Sequence, residues 1–287
     1  MRITEIIKGG DRSLSFEVFP PKKIENLADI SRAISCIASL NPSYMSVTYG
    51  AGGSTDIYTP EMASLVASHG VTPLSHLTCV GADKEKIVSV LTDLRRRRVE
   101  NVLALRGDIP SGTDKGQLTY RYASELVEEI RSFGGFCIGG ACYPEGHPES
   151  KDRNADIENM KKKINAGCEF LTTQMFFDNS ILYGYMDKLI KANICVPVIP
   201  GIMPVTAVSQ VKRIVSISGN ALPDAFMRVV EKYENDPASM KEAGIEFATR
   251  QILDLYDNGF GAVHVYSMNK PDVAARIQEN VYSVVNK

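Results

Sequence analysis

The sequence has no tryptophan, only four histidines, and no C-x-x-C pair among its six cysteines. Zinc and iron–sulfur sites need Cys or His side chains at short, regular spacings, and no H-E-x-x-H motif is present either. We therefore expect no protein-bound metal. In a chain of this length, scattered cysteines indicate reduced and mostly buried thiols.

Long apolar runs and an excess of one charge are missing as well. The first residues, Met1–Lys8, lack the apolar stretch of a secretory signal, and no apolar run approaches the ~20 residues that cross a bilayer. The 32 basic and 34 acidic residues leave a formal net charge of -2. This balance gives no reason to expect nucleic acid or a membrane as a partner. We expect a cytoplasmic protein that acts on small molecules.

Eight short segments rich in apolar and β-branched residues recur along the chain, and helical periodicity lies between them. The predicted strands are Leu14–Phe19, Tyr44–Tyr49, Thr72–Cys79, Asn101–Arg106, Cys137–Tyr143, Phe170–Phe177, Val196–Met203 and Ala262–Met268. The predicted helices include Asn26–Ser39, Lys84–Arg96, Tyr120–Phe133, Ala155–Ala166, Ile181–Ala192 and Val205–Ile217. The strand starts lie roughly 30 residues apart until the last, which is the length of a βα unit.

The gap before the last strand is about twice as long, and Pro223–Asn235 and Ser239–Asn258 in it are helical in pattern. Alternating strands and helices indicate either a closed barrel or a wide doubly wound sheet. No G-x-G-x-x-G follows the first strand, as a Rossmann fold would require. The sequence therefore predicts a single (β/α)8 TIM-barrel domain over residues 1–287, with extra helices between the seventh and eighth strands.

In such barrels the active site lies at the C-terminal ends of the strands. The polar residues at these positions are Glu17, Thr48, Tyr49, His76, Arg106, Asp108, Tyr143, Glu145, His147, Gln174, Tyr266 and Asn269. Hydrogen-bonding and titratable groups are denser here than loop polarity alone would explain.

Glu17 lies in the apolar segment Ser15–Pro21. Burial there would raise the pKa of its carboxyl and keep it protonated near neutrality, as a general acid requires. The alternative is a structural carboxylate that is bonded to a backbone amide or to Lys22.

The segment Arg106-Gly107-Asp108 follows the fourth strand. Gly107 allows close approach of a ligand, Arg106 can bind phosphate, and Asp108 can accept from an N–H group. A surface pair between Arg106 and Asp108 is an equal alternative. The other candidates have structural alternatives too. The alternative for His76 is a core histidine whose hydrogen bonds are satisfied within the protein, and the alternative for His147 is a residue of a proline-bounded turn.

These motifs together resemble the methylenetetrahydrofolate reductases. The matching stretches are Ser15–Pro21, Ser46–Ala51, His76–Cys79, Ala104–Asp108, Ala141–Pro148, Thr173–Asp178, Ile199–Val205 and the segment to Asn269. The resemblance implies an oxidoreductase of one-carbon metabolism and methionine biosynthesis, in a bacterial short form that contains only the catalytic barrel. It implies non-covalent FAD, which NADH or NADPH reduces and which then reduces 5,10-methylenetetrahydrofolate to 5-methyltetrahydrofolate.

The resemblance also implies residue roles. Glu17 matches the general acid that protonates N10 of the folate, and Asp108 matches a carboxylate beside the flavin and the pterin. The implied substrate contacts are Glu17, Asp108, Gln174, Gln210 and Lys270. The implied flavin contacts are Thr48, Tyr49, His76, Arg106, Gly107, Asp108, Tyr122, Ala123, Tyr143, His147, Asp156, Asn159, Lys162 and Lys163.

Three positions depart from the family pattern. Lys270 stands where many relatives have an arginine that pairs with the glutamate tail of the substrate, Ile214 replaces a frequent aromatic residue near the stacking site, and Met175 replaces a frequent phenylalanine. Two alternatives remain open: a flavin-free, pterin-binding one-carbon transferase, and a barrel subunit that is active only with an electron-donating partner. A homo-oligomer is also compatible with the sequence.

Overall fold

The computed structural model describes residues 1–21, 23–49, 58–110, 112–211, 214 and 222–285. Its strands are β1 (Ser13–Val18), β2 (Met45–Val47), β3 (Pro73–Thr78), β4 (Asn101–Leu105), β5 (Cys137–Cys142), β6 (Phe170–Thr173), β7 (Val198–Ile199), β8 (Gly201–Ile202) and β9 (Ala262–Val265). They form one parallel sheet in the order β7-β6-β5-β4-β3-β2-β1-β9-β8.

Pro200 explains why nine strands make a barrel with eight strand positions. It lies between β7 and β8, which are the two halves of the predicted seventh strand, and it has no N–H to donate. β7 pairs with β6 and β8 pairs with β9, while the carbonyl oxygen of Pro200 accepts from the backbone N–H of His264 at 2.9 Å. The two edges of the sheet therefore belong to one strand, and the predicted barrel is confirmed.

Helices flank the barrel. They are α1 (Ile3–Lys8), α2 (Leu27–Ala38), α3 (Tyr58–Ser68), α4 (Lys84–Arg96), α5 (Ala123–Phe133), α6 (Arg153–Ala166), α7 (Asn179–Lys191), α8 (Asp224–Lys232), α9 (Pro237–Asp257) and α10 (Pro271–Val285). Another helical segment begins at 208, but residues 212, 213 and 215–217 of the predicted Val205–Ile217 helix lie outside the described residues. Within the described ranges, no helix combines the length and the apolar character that crossing a membrane requires. Helices α8 and α9 are the predicted extra helices.

Strand β1 shows how the sequence divides the barrel into an outer and an inner layer. Phe16 and Val18 are fully buried in the main apolar cluster between the strands and the helices. Because side chains alternate along a strand, Ser15 and Glu17 point to the inside of the barrel. The inner layer at this end is polar.

Helix α1, which the sequence did not reveal, closes the N-terminal end of the barrel. Ile3 packs there against Tyr44, Leu103 and Phe170. The side chain of Asn101 accepts from the backbone N–H of Ile3 at 2.9 Å and donates to the carbonyls of residues 1 and 73. An apolar plug thus fills the lower barrel, so the polar groups gather at the C-terminal ends of the strands, hereafter the mouth.

The predicted sixth strand was too long. β6 ends at Thr173, and the apolar residues Phe176 and Phe177 are buried without joining the sheet. Phe177 packs with Phe226 of α8 in a separate apolar cluster that the inserted helices form beside the mouth. Apolar character alone did not distinguish residues that pair with a neighbouring strand from residues that pack against helices.

Candidate active site

Glu17 lies at the mouth, and its side chain points inward near the C-terminal end of β1. The residue is 8% exposed, and its Oε2 lies 3.5 Å from the hydroxyl of Ser46 and 3.6 Å from Nε2 of His76. Burial raises the pKa of Glu17 to about 8, and the hydrogen bond from Ser46 opposes this only in part. The carboxyl is therefore protonated near neutrality. Lys22, its alternative partner, lies outside the described residues.

His76 on β3 is neutral beside this carboxyl. Burial lowers the pKa of His76 to about 3. Between about pH 3 and about pH 8 both groups are therefore neutral, and their contact is not an ion pair. Among the described residues, the buried Nε2 of His76 has no hydrogen-bond partner. Such a nitrogen at the mouth is available for a ligand.

Beneath Glu17 lies a second layer of polar groups centred on His264 of β9. Its Nε2 lies 2.9 Å from the hydroxyl of Ser46, and its Nδ1 lies 2.8 Å from the hydroxyl of Ser15. The ring of Tyr44 stacks on the imidazole with 5.4 Å between the ring centroids. Burial lowers the pKa of His264 to about 3. Sequence reasoning did not include His264 in the site.

The loop after β4 differs from the expected surface pair. The guanidinium of Arg106 binds both carboxylate oxygens of Glu149, at 2.6 and 2.8 Å, whereas Asp108 is exposed. Gly107 has φ +86°, and a Cβ atom there would lie 3.1 Å from the Cβ of Thr78. The alternative of an Arg106–Asp108 pair is therefore wrong, and the partner of Arg106 is Glu149, which the sequence did not reveal.

The loop after β5 forms the wall next to Arg106. The rings of Tyr143 and His147 meet edge-on with 4.6 Å between their centroids, and Nδ1 of His147 accepts from the backbone N–H of Glu149 at 3.1 Å. Burial and the charge of Arg106 lower the pKa of His147. Asp156 of α6 is buried behind this loop and accepts from the hydroxyl of Ser150 at 3.2 Å.

The remaining implied flavin positions lie around these loops. Thr48 and Tyr49 follow β2 and are half-buried, while Tyr122 and Ala123 stand at the start of α5. Tyr122 is 60% exposed, and the helix N-terminus beside it carries positive dipole potential. The carboxylate of Glu125 already lies at this end of α5, where it accepts from the backbone N–H of Tyr122 at 2.9 Å.

The basic face of α6 separates into two environments. Lys163 turns inward and donates to the carbonyl of Ala141 at 2.5 Å, and burial lowers its pKa. Lys162 is exposed and donates to the side chain of Asn159 at 3.4 Å. Of the two lysines, Lys162 is the one whose ammonium group reaches solvent.

The other implied substrate contacts, Gln174, Gln210 and Lys270, lie in the segments that follow β6, β8 and β9. Gln174 is exposed, and its Oε1 accepts from the backbone N–H of Met175 at 3.0 Å, so it does not need a ligand as a partner. Lys270 donates to the hydroxyl of Thr206 at 2.8 Å, which in turn donates to Oε1 of Gln210 at 3.1 Å. Thr206, which the sequence did not single out, brings Lys270 and Gln210 together.

Two further residues at the mouth have packing or anchoring roles. Ile214 is 3% exposed and lies in the apolar cluster beside the mouth. The side-chain amide of Asn269 binds the backbone of Phe19 in both directions: its oxygen accepts at 2.8 Å and its nitrogen donates at 3.0 Å. Asn269 thereby fixes the segment that follows Glu17.

The cysteines match the expectation of free thiols. Cys79, Cys137, Cys142 and Cys168 are buried, Cys36 and Cys195 are exposed, and all six are free. Within the described ranges, no group of three or more His, Cys, Asp or Glu side chains is arranged to hold a metal ion.

Comparison with known proteins identifies similar chains over nearly the whole length. The family model "Methylenetetrahydrofolate reductase" matches residues 2–282. The 5,10-methylenetetrahydrofolate reductases of Salmonella typhimurium and Escherichia coli are each 32% identical over 269 residues, which cover 93% of this chain and 90% of the relative. Methylenetetrahydrofolate reductase (NADH) 1 of Arabidopsis thaliana is 32% identical over 98% of this chain and 50% of its own.

A solved structure shares the fold. It is an uncharacterized protein from Clostridium thermocellum that binds two copies of 5-methyl-5,6,7,8-tetrahydrofolic acid. The TM-score is 0.67 with 14% sequence identity, and the match covers 100% of this chain and 99% of the other. At this identity the likeness supports the barrel fold alone.

Proposed function

The chain belongs to the methylenetetrahydrofolate reductase family and is an oxidoreductase that reduces methylenetetrahydrofolate; from this premise we propose that it works with non-covalently bound FAD. We propose further that NADH or NADPH supplies the electrons and that 5-methyltetrahydrofolate is the product. The observation that carries the proposal is the buried, protonated carboxyl of Glu17 at the mouth. A reductase that opens a ring needs such a proton donor.

The residues at the mouth fit a flavin. The orphaned Nε2 of His76 can bind a polar atom of the ring, and Gly107 lets the loop after β4 take its positive φ against the side chain of Thr78. Arg106 can bind the phosphates. When bound, FAD would supply two-electron chemistry between the nicotinamide and the folate.

Glu17 would act on the folate through its proton. Because its pKa is about 8, it holds that proton at neutral pH and can give it to N10 of 5,10-methylenetetrahydrofolate. The five-membered ring of the folate then opens to an iminium cation. The exposed carboxylate of Asp108 stands across the mouth, where a negative charge would stabilise this cation.

Lys270 would bind the glutamate tail of the folate. Its ammonium group has three donor hydrogens, and one of them is used by Thr206 at 2.8 Å. Lysine offers a point charge where an arginine would offer a two-pronged fork, so this chain holds a carboxylate less rigidly. The tail should therefore add binding energy without affecting the chemical step.

The Lys270→Met variant tests this role. We expect KM for the folate to rise about 10-fold with kcat within about 2-fold, because loss of one charged hydrogen bond removes uniform binding. Steady-state kinetics measure both constants. Lys191→Met, which removes an exposed lysine at the end of α7, is the matched control. A fall in kcat with unchanged KM would contradict the assignment.

The pair between Arg106 and Glu149 predicts an effect on cofactor affinity. If Arg106 binds a flavin phosphate, Glu149 competes with that phosphate for the guanidinium. We expect Glu149→Gln to lower the Kd for FAD about 3- to 10-fold. The phosphate would no longer have to replace a partly exposed ion pair, and such a pair contributes a free energy of this size. Fluorescence titration of apoprotein with FAD measures this. Glu158→Gln, which removes the partner of Lys161 on α6, should leave the Kd unchanged. Weaker binding in Glu149→Gln would mean that Glu149 orients Arg106 instead.

An anaerobic assay tests the proposed function as a whole. Protein reconstituted with FAD should be yellow, should bleach on addition of NADH or NADPH, and should regain its colour when 5,10-methylenetetrahydrofolate is added. The name of the Arabidopsis relative makes NADH the first donor to test. In a parallel experiment, a reduced viologen dye replaces the nicotinamide as the reductant of the flavin.

The same assay separates the alternatives. Protein that refuses FAD would favour the flavin-free, pterin-binding transferase. Flavin that only the viologen reduces would favour a subunit that receives electrons from a partner. Flavin that bleaches with NADH but is not reoxidised by the folate would contradict the proposed substrate.

A further inference from the structure

We propose that His264 is a positioning residue for Glu17: acting through Ser46, its imidazole carries its proton on Nδ1 when the Glu17 carboxyl is protonated and on Nε2 when it is ionised. This rests on the proposed function of Glu17 as the acid. The resemblance to the family did not suggest a role for His264. The tautomer of its imidazole can be measured in protein that is not turning over substrate.

The strand register brings four residues together. β1 lies between β2 and β9, and its residues Glu17 and Ser15 stand opposite Ser46 and His264 respectively. The imidazole of His264 therefore bridges the hydroxyls of two neighbouring strands, at 2.8 Å on Nδ1 and 2.9 Å on Nε2. His264 is 2% exposed and both serines are fully buried. Bulk water does not compete for these hydrogen bonds.

The imidazole has one N–H because burial keeps it neutral. One nitrogen must therefore donate and the other must accept. A serine hydroxyl can take either role because its hydrogen rotates. The hydrogen bonds along Ser15, His264, Ser46 and Glu17 therefore change direction together, and two arrangements of donors and acceptors, here called solutions, are possible.

The first solution suits a protonated Glu17. The carboxyl O–H points to the oxygen of Ser46, the hydroxyl of Ser46 donates to Nε2, and Nδ1–H of His264 donates to Ser15. The hydroxyl of Ser15 then donates to the backbone carbonyl of Val263, which lies 3.1 Å away. Every donor in the chain has an acceptor.

The second solution suits an ionised Glu17. The hydroxyl of Ser46 donates to the carboxylate at 3.5 Å, Nε2–H of His264 donates to Ser46, and the hydroxyl of Ser15 turns from Val263 to Nδ1. The second solution has one proton fewer than the first, namely the proton that the carboxyl of Glu17 has released to solvent. The imidazole and each hydroxyl keep one proton, and only the ring nitrogen and the hydroxyl directions change.

The other groups around the carboxyl do not supply this coupling. His76 from β3 lies 3.6 Å away on its Nε2 and is the competing acceptor; among the described residues this nitrogen makes no hydrogen bond, to Ser46 or to any other group. Tyr44 before β2 and Tyr266 after β9 feel the charge of Glu17, and burial, the larger cause, raises the pKa of both phenols, so they remain neutral. Asp108 lies exposed in the loop after β4.

Nitrogen NMR of the ligand-free protein tests the proposal. The chain has four histidines, so ¹⁵N-histidine labelling yields few signals, and His264→Gln identifies those of His264. Ring nitrogens with and without hydrogen have well-separated shifts. We expect His264 to change from Nδ1–H to Nε2–H with a midpoint near pH 8, and to remain in one form in Glu17→Gln. Ser46→Ala should break the coupling, whereas Ser75→Ala, which removes another buried serine, should preserve it.

Three results would overturn the proposal. They are a His264 tautomer that does not change while Glu17 ionises, the same change in Glu17→Gln, and a change confined to His76. Because no flavin or folate is present, these results are independent of whether the proposed reaction occurs. In reacting protein, Ser46→Ala should shift the alkaline limb of the pH profile for folate reduction by about one unit, while Ser75→Ala should not.

Discussion

Replacing Glu17 by glutamine should lower the rate of folate reduction by about 10³-fold while leaving flavin reduction by NADH within a few-fold. General acids typically contribute about 10²- to 10⁴-fold, and glutamine keeps the shape of the side chain but cannot release a proton. Stopped-flow measurements of the two half-reactions, each followed by flavin absorbance, separate the effects. The folate step is the one that should be lost.

The matched control is Glu129→Gln. Glu129 on α5 is a largely buried carboxyl that pairs with Lys84 of α4 at 3.2 Å. Its replacement should leave both half-reactions within about 2-fold of the original chain, because an ion pair whose lysine is largely exposed contributes little. If Glu17→Gln retains folate reduction, the carboxyl is not the acid. If it loses both half-reactions, the substitution has disturbed cofactor binding instead.

The parts of the molecule that could be predicted from sequence are those with local signals. The apolar run Leu14–Phe19 indicated the first strand, and the apolar setting of Glu17 indicated a raised pKa. Helix α4 was predicted with its observed ends, and the structure shows Asp83 capping its start and basic residues in its last turn. Each of these inferences depends on neighbours within a few residues.

The parts that could not be predicted depend on pairs that are distant in sequence. His264 lies 218 residues from Ser46 and 249 from Ser15, and Arg106 lies 43 from Glu149. Nothing in the local sequence of either partner specifies the other. Pro200 is a different case: its missing N–H was visible, but that it divides a strand between the two edges of the sheet follows only from closure of the barrel.

The unusual pKa of Glu17 also implies a cost in stability that the same variant should remove. In the unfolded chain this carboxyl ionises near its ordinary value of 4.5, whereas in the folded protein it stays protonated up to about pH 8. Between these values the unfolded state binds fewer protons, so the free energy of unfolding falls as pH rises. The fall is complete above about pH 8.

Glu17→Gln should therefore be more stable than the original chain at pH 8.5, by up to about 4 kcal/mol, and equally stable below about pH 4.5. The quantity to compare is the difference in the free energy of unfolding between the two proteins. The lowered pKa values of His76 and His264 make the free energy of unfolding of both proteins rise with pH below pH 6.5, and this contribution cancels in the difference. Urea denaturation of ligand-free protein across this range provides it. A difference between Glu17→Gln and the original chain that stays constant with pH would mean that Glu17 is ionised in the folded protein. The carboxyl would then have no proton to give, so this equilibrium measurement bears on the proposed chemistry without any substrate.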